Sequence, residues 1–195
     1  DPAITSATVT TIGKNTYIPK TGHTDDSYTF ENWFSDIAQS EVYTGLKVGS
    51  MSVSLPSTGL VTTDFSLMGK DLTQTGTSQY FTTPTDPSTT GIFAAVQGAL
   101  ILNGQAGACI TDASINVERS QEAAQCVGSN NASEIFTGTI NVSGSLSAYF
   151  SDNVIRDYFA NETPVTVVIA LTTSTEKNAD VVTFVLPKTK LGSST

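Results

Sequence analysis

The segment from 136 to 150 alternates between two kinds of side chain. Polar residues occupy every second position, namely Thr137, Thr139, Asn141, Ser143, Ser145 and Ser147. Apolar or small residues lie between them, namely Phe136, Gly138, Ile140, Val142, Gly144, Leu146, Ala148 and Phe150. Successive side chains of a β-strand point to opposite faces of its sheet. The segment is therefore predicted to be one long strand with an apolar buried face and a polar wet face.

Directly after this strand the spacing of apolar residues becomes helical. Val154, Ile155, Tyr158 and Phe159 follow the i, i+1, i+4, i+5 spacing of a single helical stripe. Ser151 or Asp152 lies where an N-cap oxygen is needed, and Pro164 would end the helix. The pattern predicts one short flanking α-helix over about residues 152–162.

Hairpins are predicted wherever alternating segments flank turn residues. Residues 43–55 and 60–72 flank the turn sequence PSTG, so they are predicted to pair. The alternation of residues 43–55 changes phase at Gly49, which predicts a β-bulge. Two further hairpins are predicted around Asn103-Gly104 and around the polar sequence STEKNAD at 174–180.

Three polar segments are predicted to flank or connect these strands. Residues 71–91 are Thr-rich, contain prolines and show no sustained period, and a loop of this length in a compact domain is usually functional or disordered. Residues 119–134 are predicted to be a second polar connection. Residues 1–27 are predicted to be a polar N-terminal arm. Residues 1–35 as a whole are interpreted either as an extended arm or as one or two early strands.

The two halves of the chain have a similar rhythm. A short alternating strand, a link and a longer alternating strand follow one another over 48–71 and again over 111–152. A duplicated unit accounts for this similarity, and so does chance, because alternating strands resemble one another.

Length and composition agree with an all-β fold. A chain of 195 residues suits one domain and buries enough surface to be stable without disulfides or metals. Only 14% of the residues are charged, while Ser, Thr and Gly are abundant, as in β proteins with solvated strand faces. We predict a single domain over residues 1–195, built as an antiparallel β-barrel or β-sandwich with the one short helix.

Charge and hydropathy exclude two classes of protein. The net charge is −9 and the few lysines and arginines do not cluster, which argues against a surface that grips nucleic acid phosphates. The apolar run VVIAL at 167–171 is too short to cross a bilayer, and no leader pattern begins the chain, although a missing leader or upstream segment stays open.

The residues that carry chemistry form no catalytic or metal-binding pattern. His23 is the sole histidine and no nucleophile elbow accompanies it, so we interpret it as a solvated loop residue. Asp25 and Asp26 lack the regular offsets of a calcium loop. Cys109 and Cys126 have no metal or redox spacing and are interpreted as ordinary thiols, with a disulfide between them left open. We therefore predict no catalytic residues, no bound metal and no cofactor.

A group of aromatic residues leaves a second functional class open. Tyr28, Phe30, Trp33 and Phe34 could line a sugar-binding face or a partner contact, with core packing as the plainer interpretation. The first possibility would make the chain a monomeric carbohydrate-binding or adhesin-like β-sandwich. A β-sandwich enzyme ranks below it, because no pocket with perturbed acids is visible.

The order of the elements resembles a known family. The stretch YTFENWFSDIAQSEVYTGLKVGSMSVSLPSTGLVTTDFSLMGKDL at 28–72 contains a strand pair ending in GKD. A Thr-rich loop, the strand GTINVSGSLSAYF running into a short helix, and a final strand ending in LPK follow. This arrangement, over about residues 28–190, resembles the major tail tube proteins of long non-contractile-tailed bacteriophages.

The resemblance implies a structural virion protein and not an enzyme. Six copies would form a ring, and stacked rings would form the hollow tail through which genomic DNA passes during ejection without specific binding. Tail initiator, terminator and tape-measure proteins would be its partners, assembly would occur in the host cytoplasm, and no membrane would be involved. The tube of type VI secretion is related in architecture and remains an alternative for any ring-forming result.

Two hypotheses follow from the resemblance. The net charge and the Ser/Thr faces predict a neutral to acidic lumen, with Thr137, Thr139, Asn141, Ser143 and Ser145 as the candidate wet face, because such a wall does not hold phosphates. The loop at about 71–91 is predicted to pack on a neighbouring subunit, with Gln79, Tyr80, Phe81 and Thr82 as its contact residues.

Overall fold

The computed structural model describes residues 13–18, 26–85, 91–95, 98–106, 110–149, 154–176 and 179–192. In this part of the chain strands dominate, all paired strands run antiparallel, and one short helix is present, which confirms the predicted fold class. Within these residues the arrangement is sandwich-like and not a closed barrel. The elements are β1 (Tyr28–Phe34), β2 (Gln39–Pro56), β3 (Thr62–Met68), β4 (Asp71–Gly76), β5 (Gly98–Leu102), β6 (Gln105–Ala106), β7 (Ile110–Gln125), β8 (Ala132–Ala148), α1 (Val154–Ala160), β9 (Val165–Thr172) and β10 (Val181–Thr189).

Strand β2 is the centre of the larger sheet. Its first half lies between β1 and β4, and its second half lies between β3 and β7, with β8 beyond β7. The pairings Lys47 with Met68 and Thr44 with Asp71 show that β3 and β4 follow one edge of β2. The predicted hairpin of residues 43–55 and 60–72 is confirmed, and the register shift between Val48 and Ser50 confirms the bulge at Gly49.

Two predicted loops are shorter than expected. Asp71–Gly76 form β4 and are not part of the 71–91 loop, because the first half of β2 offers them a free edge. The predicted connection at 119–134 is wrong, since β7 continues to Gln125 and β8 begins at Ala132. The link between β7 and β8 is a turn in which the Ser129 amide donates to the Cys126 carbonyl over 3.1 Å.

The smaller sheet has the strand order β10-β9-β5-β6. The predicted Asn-Gly hairpin is confirmed between β5 and β6, where Asn103 and Gly104 have φ values of 47° and 78° as a type I′ turn requires. The predicted final hairpin is confirmed as β9 and β10, which pair from Val181 and Thr172 onward.

Helix α1 matches the predicted helix and ends in a Schellman motif. The Thr163 amide donates to the Tyr158 carbonyl and the Glu162 amide to the Phe159 carbonyl, with Glu162 at a φ of 48°. The helix therefore ends before Pro164 is reached. The candidate N-cap residues Ser151 and Asp152 lie outside the described residues.

The hydrophobic core lies where the two sheets face each other. Both contribute buried side chains to it, namely Val53, Ala113 and Ile115 from the larger sheet and Ile169 and Leu171 from the smaller one. Because the smaller sheet covers only part of the larger one, the apolar side of the larger sheet continues beyond the covered area. Part of the apolar side of the larger sheet is therefore left exposed to solvent.

Candidate functional site

A polar face extends across four neighbouring strands on the side of the larger sheet opposite the core. Residues paired directly across an antiparallel ladder point to the same side. The Ser114 and Ser145 hydroxyl oxygens lie 2.8 Å apart, in agreement with the register. We call this surface the serine face, and it consists of Thr62, Asp64 and Ser66 of β3, Ser50, Ser52 and Ser54 of β2, Asp112, Ser114, Asn116 and Glu118 of β7, and Asn141, Ser143, Ser145 and Ser147 of β8.

The serine face is acidic. Its charged members are Asp64, Asp112 and Glu118, and none of its positions holds a lysine or an arginine. Short hydroxyl and amide side chains fill the other positions. A surface of this kind repels phosphate groups and offers them no cation to pair with.

The five residues predicted to form the wet face of β8 do not all lie on the same side of the sheet. Asn141, Ser143 and Ser145 lie on the serine face and are exposed. Arg119 pairs with Ile140 and Gln121 with Thr137, so β8 has one extra residue there, which is a β-bulge. The bulge reverses the alternation and places Thr137 on the core side, while Thr139 lies within the bulge itself.

The strict alternation predicted for 136–150 is therefore wrong at its beginning. Ile135, which the pattern had left out, is only 1% exposed, whereas Phe136 is 61% exposed. Gly138 lies in this bulge. Because it has no side chain, neither face of the sheet has to accommodate one at the point where the alternation reverses. The predicted residue Phe150 lies outside the described residues.

A row of apolar side chains crosses the same four strands on the core side. Phe65 pairs with Met51, Met51 with Val117, and Val117 with Val142. The two middle residues are partly buried against the core, but Phe65 is 57% and Val142 is 45% exposed. Leu67 and Ile140 extend the exposed ends at the next positions. Both edges of this four-stranded region thus end in exposed apolar side chains.

Glu134 fastens the start of β8 to β2 and to the β3–β4 connection. Its carboxylate accepts from the Lys47 ammonium over 3.0 Å and from the Lys70 ammonium over 2.8 Å. Lys47 also donates to the Ile135 carbonyl over 2.8 Å, and the Ala132 amide donates to the Lys70 carbonyl. The pKa of Glu134 falls from its ordinary value of 4.5 to about 2, first because of Lys70 and then because of Lys47.

Acid is expected to loosen this contact. A carboxylate with a lowered folded-state pKa stabilises the fold above the unfolded-state value and loses that contribution as the pH falls through the folded-state value. For Glu134 the loss is expected between about pH 4.5 and pH 2. Urea unfolding at pH 7, 4.5 and 2.5 should show a smaller acid-induced loss of stability for Glu134→Gln than for the wild type. Glu122→Gln, the same change at an exposed position of β7, should keep the wild-type pH dependence, and equal slopes for both variants would contradict the prediction.

A second carboxylate holds the predicted contact loop against β1. Glu31 accepts from the Ser40 hydroxyl over 2.5 Å and from the Tyr80 amide over 2.7 Å at one oxygen, and from the Phe81 amide over 3.0 Å at the other. These three hydrogen bonds lower the pKa of Glu31, with the Ser40 bond contributing most. The backbone at residues 80 and 81 is thereby fixed to its own subunit.

The side chains of this loop point into solvent. The rings of Tyr80 and Phe81 form an edge-to-face pair with centroids 4.9 Å apart, and they are 53% and 42% exposed. Gln79 and Thr82 are also exposed. The four predicted contact residues are therefore close together and accessible, whereas Glu31, which positions two of them, was not predicted. Its separation of about 50 residues from the loop leaves no local sequence signal.

The aromatic residues of β1 do not form one platform. Phe30 pairs with Tyr43 and Trp33 with Ser40, so Trp33 points to the opposite side from Tyr28, Phe30 and Phe34. Phe30, Tyr43 and Leu72 form a row across β1, β2 and β4, with Phe30 60% and Leu72 47% exposed. This row is a further exposed apolar surface, and exposed apolar side chains that adjoin one another often mark a site where a protein binds a partner.

The remaining candidates concern metal binding, membrane spanning and the cysteine and histidine residues. The described residues include no group of three metal-ligating side chains and no helix with the length and hydropathy needed to cross a bilayer. Cys126 is exposed and free, with its sulfur 3.6 Å from the Ser133 hydroxyl. His23, Asp25 and Cys109 lie outside the described residues.

Comparison with protein families gives a match that covers nearly the whole chain. The model of a family described as phage tail tube protein matches residues 1–193. No curated protein is similar enough to be counted as a relative.

Proposed function

Because the chain belongs to the phage tail tube protein family, we propose that it builds the hollow tail of a long non-contractile-tailed bacteriophage. As a family member it is a structural component of the virion tail that assembles with copies of itself and with other tail proteins. The proposal adds that residues 1–195 form one domain, that six copies make a ring, and that stacked rings form a channel for the genome.

The serine face carries the proposal for the channel. It is a polar surface of the larger sheet and spans four strands whose opposite side faces the core. If each copy turns this face inward, the wall of the channel consists of hydroxyls, amides and carboxylates. DNA can slide along such a wall, because Asp64, Asp112 and Glu118 oppose close approach of the phosphates.

The apolar row on the other side supports closure of the ring through strand edges. In one chain the row ends in exposed Phe65 on β3 and exposed Val142 on β8. These strands are the two edges of the four-stranded region, so β8 of one copy can pair with β3 of the next. The row would then continue from copy to copy, with each Val142 covered by the next Phe65. Edge pairing also uses backbone groups that a lone subunit leaves unpaired.

Further contacts would connect the rings and the ends of the tail. The exposed pair of Tyr80 and Phe81 is suited to pack on a neighbouring copy, since edge-to-face aromatic pairs with fixed backbones lose little entropy on binding. Initiator, terminator and tape-measure proteins are the proposed partners, and the host cytoplasm is the proposed place of assembly. The proposed role needs no cofactor, metal or catalytic residue.

Negative-stain electron microscopy of the purified protein, with light scattering for its mass, tests this function. We expect hollow filaments or six-membered rings at high concentration. If the isolated protein stays monomeric, assembly on purified tail initiator complexes is the next experiment. A failure to extend those complexes would overturn the proposal, and glycan screening of the monomer would then test the adhesin-like alternative.

A further inference from the structure

We propose that residues 13–18 of one copy bind in a groove of a neighbouring copy between β1 and residues 79–85. This inference deepens the proposed function and rests on it, because it names the pair of surfaces that two assembled copies would bring together. Both surfaces belong to the described part of the chain.

The groove combines apolar walls with one negative charge. It has a volume of about 530 Å³ and opens to solvent. Trp33 and Phe81 provide aromatic walls, Pro84 adds a rigid one, and the Glu31 carboxylate lies among them. Its volume falls within the range of about 300–1,000 Å³ that is usual for ligand sites.

Glu31 is fixed in place but has no cationic partner among the described residues. Its three hydrogen bonds come from a hydroxyl and two backbone amides, which are neutral donors. A carboxylate has about four acceptor sites, so one site remains, on the oxygen that accepts from Phe81. The groove is therefore suited to a ligand that brings a positive charge beside an aromatic or aliphatic side chain.

Residues 13–18 have this composition. The segment GKNTYI contains Lys14, and it contains Tyr17 and Ile18, which are 91% and 73% exposed. All six residues are exposed, and none belongs to a helix or strand. In an extended conformation with three residues per turn, Lys14 and Tyr17 lie on the same side. Lys14 could then bind Glu31 while Tyr17 packs between Trp33 and Phe81.

A neighbouring copy is the occupant that the observations favour. In the single chain both the segment and the groove are described, and the segment does not fill the groove. The chain belongs to a family whose members assemble with copies of themselves, so every copy in a tail has a groove and a segment nearby.

Disulfide trapping between two different chains tests the proposal. Cys109 and Cys126 are first replaced by serine. A tagged chain with Tyr17→Cys is then assembled with an untagged chain with Thr83→Cys, and the tubes are oxidised mildly. We expect a covalent dimer of tagged and untagged chains. Tyr17→Cys paired with Thr175→Cys, an exposed turn residue between β9 and β10, should give no such dimer.

A charge-matched pair of variants measures the contribution of Lys14 to tube formation. Lys14→Gln and Asn15→Asp each lower the net charge by one at adjacent exposed positions. We expect only Lys14→Gln to raise the critical concentration for tube formation, by about tenfold or more.

Intact tubes without the covalent dimer, or equal effects of both charge variants, would overturn the inference and leave the proposed function standing. A further chain carries both Tyr17→Cys and Thr83→Cys. A crosslink that forms only within that single chain, and never between two chains, would also overturn the inference. Complete absence of tubes, even on initiator complexes, would overturn both.

Discussion

Replacing Asp64 and Glu118 with lysine is expected to give tails of normal appearance that fail to release their DNA. Each replacement adds two positive charges, so the pair adds four per subunit, all on the serine face. Both side chains lie on the polar side of the sheet, so the core and the strand edges should be unaffected. Phage titre is expected to fall by orders of magnitude, because closely spaced lysines bind phosphates strongly and each tail would contain many such rings.

Electron microscopy and a plaque assay on the same preparation distinguish a defect in tail assembly from a defect in DNA release. The images should show tails of wild-type length and diameter, and DNA should remain in the tails of triggered particles. Glu176→Lys with Asp180→Lys makes the same change in charge in the turn between β9 and β10 and should leave the titre near the wild-type value. Full infectivity of the Asp64 and Glu118 variant, with both lysines present in the virion, would show that the serine face does not line the channel.

Val142→Glu is expected to abolish polymerisation of an otherwise folded subunit. In the single chain the Val142 side chain is 45% exposed, so a carboxylate there reaches water and should cost the monomer no more than about 1 kcal/mol. Between two copies the same carboxylate would be buried against Phe65 without a partner. Such burial costs on the order of 3–5 kcal/mol at each contact, which corresponds to at least about a hundredfold rise in the critical concentration.

Ser143→Glu is the matched control for this variant. It introduces the same charge one residue further along β8, but on the serine face. Circular dichroism should show that both variants melt within a few degrees of the wild type. Sedimentation should then find tubes for Ser143→Glu and only monomers for Val142→Glu. Tube formation by Val142→Glu at the wild-type concentration would contradict closure of the ring through β8 and β3.

Local patterns predicted the strands well where one face is buried. The alternation of residues 43–55, the phase change at Gly49 and the Asn-Gly turn are short-range signals, and the structure confirms all three. The polar stretch after Arg119 gave no such signal. Its residues form a strand because β8 pairs with them, which is a tertiary effect that overrides their weak strand propensity.

The contacts that position the candidate surfaces could not be predicted. Glu134 binds lysines 64 and 87 residues away, and Glu31 binds amides about 50 residues away. A carboxylate in a Ser- and Thr-rich sequence is by default a solvated surface group, and only the fold brings its donors near. The bulge that moves Thr137 to the core side was hidden for a related reason, since Gly138 fits the pattern of either face.

The position of β2 also affects how the protein is made on the ribosome. The second half of β2 pairs with β3 along one edge, and β3 follows it closely in the sequence. Its other edge pairs with β7, which is synthesised later, since the partner of Ser50 is Glu118, 68 residues further along the chain. At about 5–20 residues per second, the nascent chain carries that open edge for roughly 3–14 s. Neighbouring ribosomes on one message then hold many such chains close together. The speed at which β7 is synthesised and docks therefore sets how long each nascent chain is exposed to wrong pairing with another.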